Sequence, residues 1–568
     1  MASLYRKLIS GKPYWYLREM ARVDGKPKMV SERYLGSAAD IEALLDAREV
    51  AAAPARTRHL GFGDVAAAWG LLERLDVIGV IDAVVGDLRS DAGASVGSYL
   101  ALAALNRVVA PRSKLQFADW WKTTAADRFT RIPASVLDHR GFWDAMHAIT
   151  LEQVAQIEHL LALAMIETFG LDISSLALDM TNFATYIDTD NDKAPIAQRG
   201  KAKQKRSDLR LVGLGLVVTR DGGVPLVSHA YPGNRPDVTQ FATMIDLLCA
   251  RHAALAAHTG TPTPAEVTVV FDAGQNSVAN FTHLTDTGLA FVGSIPPSDA
   301  AGLLALPAGA RTLVDIDRFE ALTALETRRV VYGTDRRVIL THSPTLHAAQ
   351  SAGFDQTLAK ALKALGELAD TLARSKTRRP AGKVNAEIAA ITHDPWLRRV
   401  LECELTGASP AQHRLTVVVN TAARAALETE IFGKRILITN RQQWPVADVV
   451  AAYRSQSDAE FSFRQLKDPR VVSFSPMHHW TEHNIRVHTF TCVLALQIAH
   501  LMRRQADHAG LHLSVRELLD QLAGIQETVL IYPSTGGRPK ARRMLTETTH
   551  NQDQLTEIFD LTKWAPRS

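Results

Sequence analysis

Between residues 171 and 295 the chain lays down apolar segments in an order that few folds can accommodate. LALDMTNFATYI, LRLVGLGLVVT and VPLVSHAYPGN are strand-like and bounded by Gly, Pro and Asp. DVTQFATMIDLLCARHAAL then reads as an amphipathic helix, and VTVVFDAG and LAFVGSI as short, wholly apolar strands. A strand that is apolar along its whole length is one covered on both faces. Strands in succession, then a helix, then an apolar strand predict a mixed α/β sheet.

The flanking regions differ in texture. Residues 1–60 read as a small N-terminal β module, with two aromatic and aliphatic runs around the hairpin signal Asp24-Gly25. Residues 61–170 are helical, as in VGSYLALAALNRVVA, and Pro111 interrupts the pattern. Residues 300–440 alternate short strand candidates (RRVVYG, HRLTVVVN, RILITN) with a helix near QTLAKALKALGELADTLA. Two helices fill 441–505, and 506–568 read as a helical tail with a basic turn, GGRPKARR.

Composition narrows the function classes. With 46% hydrophobic and 22% charged residues the chain is neither disordered nor fibrous. Three distant cysteines without a CxxC pair exclude a disulfide scaffold and a zinc ribbon, and they fit a reducing cytoplasm. MASLYRKLISGKPYWY lacks the apolar core of a signal peptide, and no uncharged apolar run reaches the roughly 18 residues of a membrane helix. A cytoplasmic protein without a membrane is therefore expected. Lys+Arg 64 against Asp+Glu 60 leaves +4, so any nucleic-acid surface must come from local clustering.

The most informative segment is WPVADVVAAYRSQSDAEFSFRQLK, a predicted helix over 444–467. Val446, Val449, Tyr453, Gln456, Glu460, Phe463 and Lys467 recur by three and four, which puts all seven on one stripe. A stripe so spaced is expected to be buried, yet it carries Tyr, Gln, Glu and Lys where a plain core helix has Leu. A buried carboxylate needs a cation, a metal or a partner acid; a salt-bridged amphipathic helix is the plainer alternative. Two aspartates add to it. Asp179 follows SSLAL inside a strand-like run, and Asp272 ends VTVVF. Each alone is an ordinary strand-end cap, but strand ends are where α/β folds place ligands. Two aspartates and a helix-borne glutamate make a set of hard oxygen donors suited to Mg²⁺.

These residues resemble a family. Tyr453, Glu460 and Lys467 match the Tyr-x2-Arg-x3-Glu-x6-Lys signature of one superfamily of DDE transposases, the enzymes that move bacterial insertion sequences. YRSQSDAEFSFRQLKD and FSPMHHWTEHNIRVHTFTCVLALQIAHLM are similar to the end of the catalytic domain in its insertion-sequence-1634-like group. LALDMTNF and VVFDAGQNS resemble its two aspartate strands, GKAKQKRSDLRLVGLGL and PLVSHAYPGNRPDVTQF the segments between, and YWYLREMARVDGKPKMVSERYLG its leading module. The likeness is weakest at 300–430 and after 505, and the signature's arginine position is Gln456.

The resemblance implies a ribonuclease H-like catalytic domain split into 171–299 and 441–505, with a β-rich insertion at 300–440. Asp179, Asp272 and Glu460 would be catalytic and would hold two Mg²⁺ ions, with Mn²⁺ able to substitute. The separation of 188 positions from Asp272 to Glu460 is too long for a direct connection and leaves room for that insertion. The implied partner is double-stranded DNA, as terminal inverted repeats and as target, bound by a homodimer. Tyr453 and Lys467 would contact phosphates. The helical 61–170 segment is expected to read the transposon end by position alone.

For the DNA grip, Lys201, Lys203, Lys205, Arg206 and Arg210 form one basic strip, Arg374 to Lys383 a second and Arg538 to Arg543 a third; each is equally a solvated loop. Other motifs fail on spacing. DTDND at 188–192 has Lys193 where a calcium loop needs glycine, and His478, His479, His483 and His488 fit no zinc site. GLGL at 213–216 and GFGDV near 61 lack the rest of a dinucleotide fingerprint. A second ribonuclease H-like nuclease, or a domesticated DNA-binding copy that does not cut, are the alternative readings.

Overall fold

The computed structural model describes residues 2–23, 26–50, 53–86, 93–201, 208–259, 266–374, 379–475, 477–533 and 540–567. Among the described residues, seventeen strands fall into four sheets. β1 (Ala2–Ile9), β2 (Lys12–Val23) and β3 (Lys26–Gly36) form an antiparallel meander. Val23 opposes Lys26, as the expected hairpin requires, although Asp24 and Gly25 lie outside the described residues. β4 (Arg56–Gly61) does not join this meander. It pairs with β16 (Gln526–Ile531), which also pairs with β17 (Ala541–Leu545), so the tail read as helical supplies two strands. Glu527 on β16 is fully buried and bonds Arg128 at 2.6 Å and Arg543. An unpaired carboxylate there would be costly, so two arginines from distant segments converge on it.

The principal sheet has nine strands. β5 (Ser175–Ala184), β6 (Leu211–Thr219) and β7 (Pro225–Pro232) run antiparallel in succession. Helix Phe241–Thr259 then returns the chain so that β8 (Thr268–Phe271) lies parallel to β5 on its other side. Helix Val278–Asp286 leads to β9 (Ala290–Ile295), parallel to β8. All residues of β6, β8 and β9 are buried, as continuous apolar runs demand. In β6 the two glycines of GLGL are packing residues: a Cβ on Gly213 would meet the Tyr231 ring, and one on Gly215 the Met244 side chain.

Region 300–440 is not a self-contained β-rich insertion. β10 (Thr312–Leu313), β11 (Thr323–Val331), β12 (Thr334–His342) and β15 (Lys434–Thr439) continue the same sheet, giving the order β10-β11-β12-β15-β9-β8-β5-β6-β7. The physical reason is the apolar content of β12 and β15. Val338, Ile339, Leu340, Ile436, Leu437 and Ile438 are all buried, which an edge hairpin could not achieve. Outside the sheet, this region holds the 30-residue helix Pro344–Ala373 and a two-stranded ribbon of β13 (Leu401–Thr406) and β14 (Arg414–Val419).

Helix Glu482–His508 organises the other half. It packs against helices Gly63–Arg74, Val96–Val109, His139–Ala148 and Leu151–Phe169, and against β7. The 61–170 helices therefore share one apolar core with the sheet rather than closing a core of their own. By length and composition this helix could cross a membrane, but 94% of its apolar window is buried inside the protein, as in a core helix.

Candidate active site

The sheet centre brings the two aspartates together. β5 and β8 pair with Ala177 opposite Val270. Two residues on, at the same register, come Asp179 and Asp272, the latter still extended at φ −91° and ψ 165°. Neighbours at one level of a parallel pair present their side chains on the same face. Val270 belongs to an apolar cluster with Val449, Val450 and Tyr453, so the two-residue period carries Asp272 to the face where helix Val446–Arg454 lies.

That helix meets Asp272 directly. The buried Tyr453 hydroxyl donates to Asp272 Oδ1 at 3.3 Å and accepts from Arg435 Nη1 at 3.3 Å. Ser294 on β9 donates its hydroxyl to the same Asp272 oxygen at 2.8 Å. Burial, above all, raises the Tyr453 pKa, which keeps the phenol a neutral donor. Tyr453 is thus engaged by protein groups. Asp179 accepts from the Met180 amide at 2.7 Å.

The expected single helix over 444–467 is two helices, Val446–Arg454 and Gln456–Lys467. Ser455 makes the break: its amide is shared between the Ala451 and Ala452 carbonyls, and its hydroxyl donates to Ala452 O at 2.6 Å. Hydroxyl-to-carbonyl bonds of this kind bend helices. Past the break, Lys467 donates to Thr181 Oγ1 at 2.7 Å and lies 5.5 Å from the Phe183 ring centroid. Thr181 and Phe183 share Asp179's face of β5 by alternation. The helix pair is thereby pinned at Asp272 through Tyr453 and just beyond Asp179 through Lys467. Glu460 lies seven residues from each anchor.

Most of the stripe is buried, including Val449, Tyr453, Gln456 and Phe463, but Glu460 is exposed. The cost of a buried carboxylate therefore does not arise there. Glu460 borders a cavity of about 310 Å³ together with Asp272, Tyr453, Gln456, Arg435 and Arg454. Asp179 does not line that cavity. Arg435, the first outward-facing cation of β15, was not singled out from the sequence; a charge inside KRILIT was the available signal.

The donor chemistry suits a divalent cation: Asp179 and Asp272 are adjacent oxygen donors, and a third carboxylate borders Asp272's cavity. Among the described residues, however, no three His, Cys, Asp or Glu side chains group closely enough to hold a metal ion. The site is a pair of acids with a third on a separate element.

The basic strips resolve unevenly. Lys201 is exposed, whereas Lys203, Lys205 and Arg206 lie outside the described residues. Arg210, grouped with them, is instead buried, and its guanidinium donates to the carbonyls of Ala197, Asp188, Asn191 and Ala194 at 2.6–3.1 Å. It clamps the 188–197 loop through main-chain carbonyls. Arg379 pairs with Glu387 at 2.6 Å, while Lys376, Arg378 and Arg538 lie outside the described residues. The 188–192 segment is a polar turn, with Asp188 Oδ1 accepting from the Asp190 amide at 3.3 Å.

No protein-family model matches the chain, and no curated protein matches it. Six solved chains do. One is a piggyBac transposase in a synaptic complex with hairpin DNA, at 8% identity and a TM-score of 0.36 over 83% of this chain and 82% of that one. A likeness that faint carries no weight for fold or activity.

Proposed function

We propose that the chain is a DNA transposase of the DDE kind. It would cleave at the inverted-repeat ends of an insertion sequence and join the strands to target DNA by in-line phosphoryl transfer. The observation that carries this reading is the shared register of Asp179 and Asp272, bridged by a helix pair that brings Glu460 to the cavity that Asp272 lines. Three antiparallel strands in succession, then two helix-linked parallel ones, also support a ribonuclease H-like core.

Magnesium, with manganese able to substitute, would supply Lewis-acid stabilisation of charge on a phosphoryl group. Asp179 and Asp272 are the residues that would hold it, with Glu460 as the third ligand. Tyr453 and Ser294 fix the rotamer of Asp272 by donating to one of its oxygens. Arg435 and Arg454 border the cavity as cations for scissile-strand phosphates, a task that the uncharged Gln456 cannot perform. Two ends cut together would require two copies of the chain on DNA. The lack of a closed three-acid group among the described residues favours one rival, a DNA-binding copy that does not cut.

The deciding experiment is cleavage of a supercoiled plasmid carrying the gene with its native flanks, in Mg²⁺ or Mn²⁺, by wild type and Glu460→Gln. Metal-dependent cuts at the flanking repeats, lost in the variant, are the expected result. Specific binding without cutting by either protein establishes the rival, and equal cutting by both removes Glu460 from the site.

A further inference from the structure

A second cavity, of about 460 Å³, opens on the helical side of the molecule. Arg107 from helix Val96–Val109, Lys114, Trp143 from helix His139–Ala148, and Trp480 and Asn484 at the start of helix Glu482–His508 line it. Its charge is uncompensated. No Asp or Glu lines it, and neither Arg107 nor Lys114 forms an ion pair among the described residues. Among the described residues, the Arg107 guanidinium donates only to the carbonyls of Ser473 and Ser475, at 3.1 and 3.2 Å. Lys114 sits over the Phe142 ring at 5.9 Å. Burial, more than the charge of Arg107, pulls the Lys114 ammonium down to about 7.

The walls are equally particular. Trp480 is 68% exposed and Trp143 46% exposed, so two large indole faces are left to solvent at one cavity. Asn484 Oδ1 is buried without a partner, a polar atom that costs free energy until something donates to it. An anion site beside open aromatic faces and an unsatisfied acceptor describes one chemistry: a phosphate with a planar, hydrogen-bonding base.

The cavity also connects to the aspartate strand. Beyond β5, the Tyr186 amide donates to Met477 O at 3.1 Å, and its ring lies 5.3 Å from that of His478. Phe183 stacks on Phe474 at 4.2 Å. Seven residues separate Asp179 from Tyr186, about 23 Å at ~3.3 Å per extended residue.

We infer that this cavity takes a single unstacked nucleotide of a DNA strand, its phosphate on Lys114 and Arg107 and its base against Trp480 and Trp143. The DNA as source rests on the proposed function; the binding does not depend on cleavage.

The test is fluorescence anisotropy of the full chain with two labelled probes, single-stranded dT12 and a fully paired 12-base-pair duplex. Trp480→Ala and Lys114→Gln should each weaken dT12 binding about 10-fold, since stacking one base contributes ~1–3 kcal/mol, and leave duplex binding unchanged. Trp480→Phe should retain most of the dT12 affinity. Wild-type dT12 affinity in both variants overturns the proposal. So does loss in Lys114→Gln alone, which would mean an anion site without a base. If the transposase reading fails instead, the plasmid stays uncut while the Trp480-dependent binding of dT12 persists.

Discussion

The two aspartates and the glutamate are held by different means. Asp179 stands on β5 and Asp272 directly follows β8, two strands whose position is fixed by main-chain pairing. Glu460 stands on a helix broken from its predecessor at Ser455 and held over the sheet by two side-chain anchors, Tyr453 and Lys467. Backbone ladders place two donors, whereas side-chain packing places the third: Ala459, Ser462, Phe463 and Leu466 of its helix are buried against β5, β6 and helix Glu482–His508. The difference teaches that main-chain pairing sets the acid pair, while the glutamate depends on how a separate helix packs on the sheet.

The comparison is broken most decisively at the pair. Asp272→Asn should lower DNA cleavage by on the order of 10³-fold or more, the equivalent of several kcal/mol of lost charge stabilisation. The melting temperature should hardly change, because Asp272 is exposed. A plasmid nicking assay paired with calorimetry checks both. Retained cleavage would detach the pair from the chemistry.

Smaller effects distinguish the anchors. Tyr453→Phe removes one donor from Asp272 while keeping the ring in its cluster, and should cost about 10-fold in cleavage, as outer-shell changes do. Raising the Mg²⁺ concentration should recover part of that loss if Tyr453 acts by orienting Asp272. Lys467→Met frees the far end of the Glu helix from Thr181 and should cost about 3- to 10-fold by misplacing Glu460. The anchor reading predicts that the Tyr453→Phe, Lys467→Met double variant loses less or more than the product of the two, since one helix pair carries both; a double-mutant cycle measures it.

The smallest effect concerns stability. Asp458 lies on the side of the Glu helix away from Glu460, against Gly223, and burial pushes it up to about 6 against the attraction of Arg503 and Arg220. A carboxyl raised in the folded state contributes fully below its unfolded value near 4 and loses that contribution as pH climbs to about 6. Asp458→Asn should therefore raise the melting temperature by about 1–2 °C at pH 7.5 and by less at pH 5. Thermal melts at the two pH values check the sign.

Much of the sheet was legible because its strands announce themselves locally. VTVVF and LAFVGSI are apolar throughout, and they proved to be strands buried on both faces. The helix stripe was legible by its three–four spacing, but not its break, because Ser455 looks like any polar helix residue until its hydroxyl is seen on Ala452 O. Nor could spacing show that Glu460 would be the stripe's exposed member. Arg210 read as part of a basic strip, since composition cannot tell a cation facing solvent from one threaded through four carbonyls.

What the amino-acid order determined by itself was therefore which segments are strands or helices and which acids stand at strand ends, since periodicity and turn chemistry act over a few residues. Only the tertiary structure decided that Asp179 and Asp272 share one register, that β12 and β15 extend the principal sheet, and that Arg435 reaches the cavity. These depend on pairings between segments 90 or more residues apart, where what counts is how much apolar surface each partner can cover in the other, a quantity that no local pattern carries.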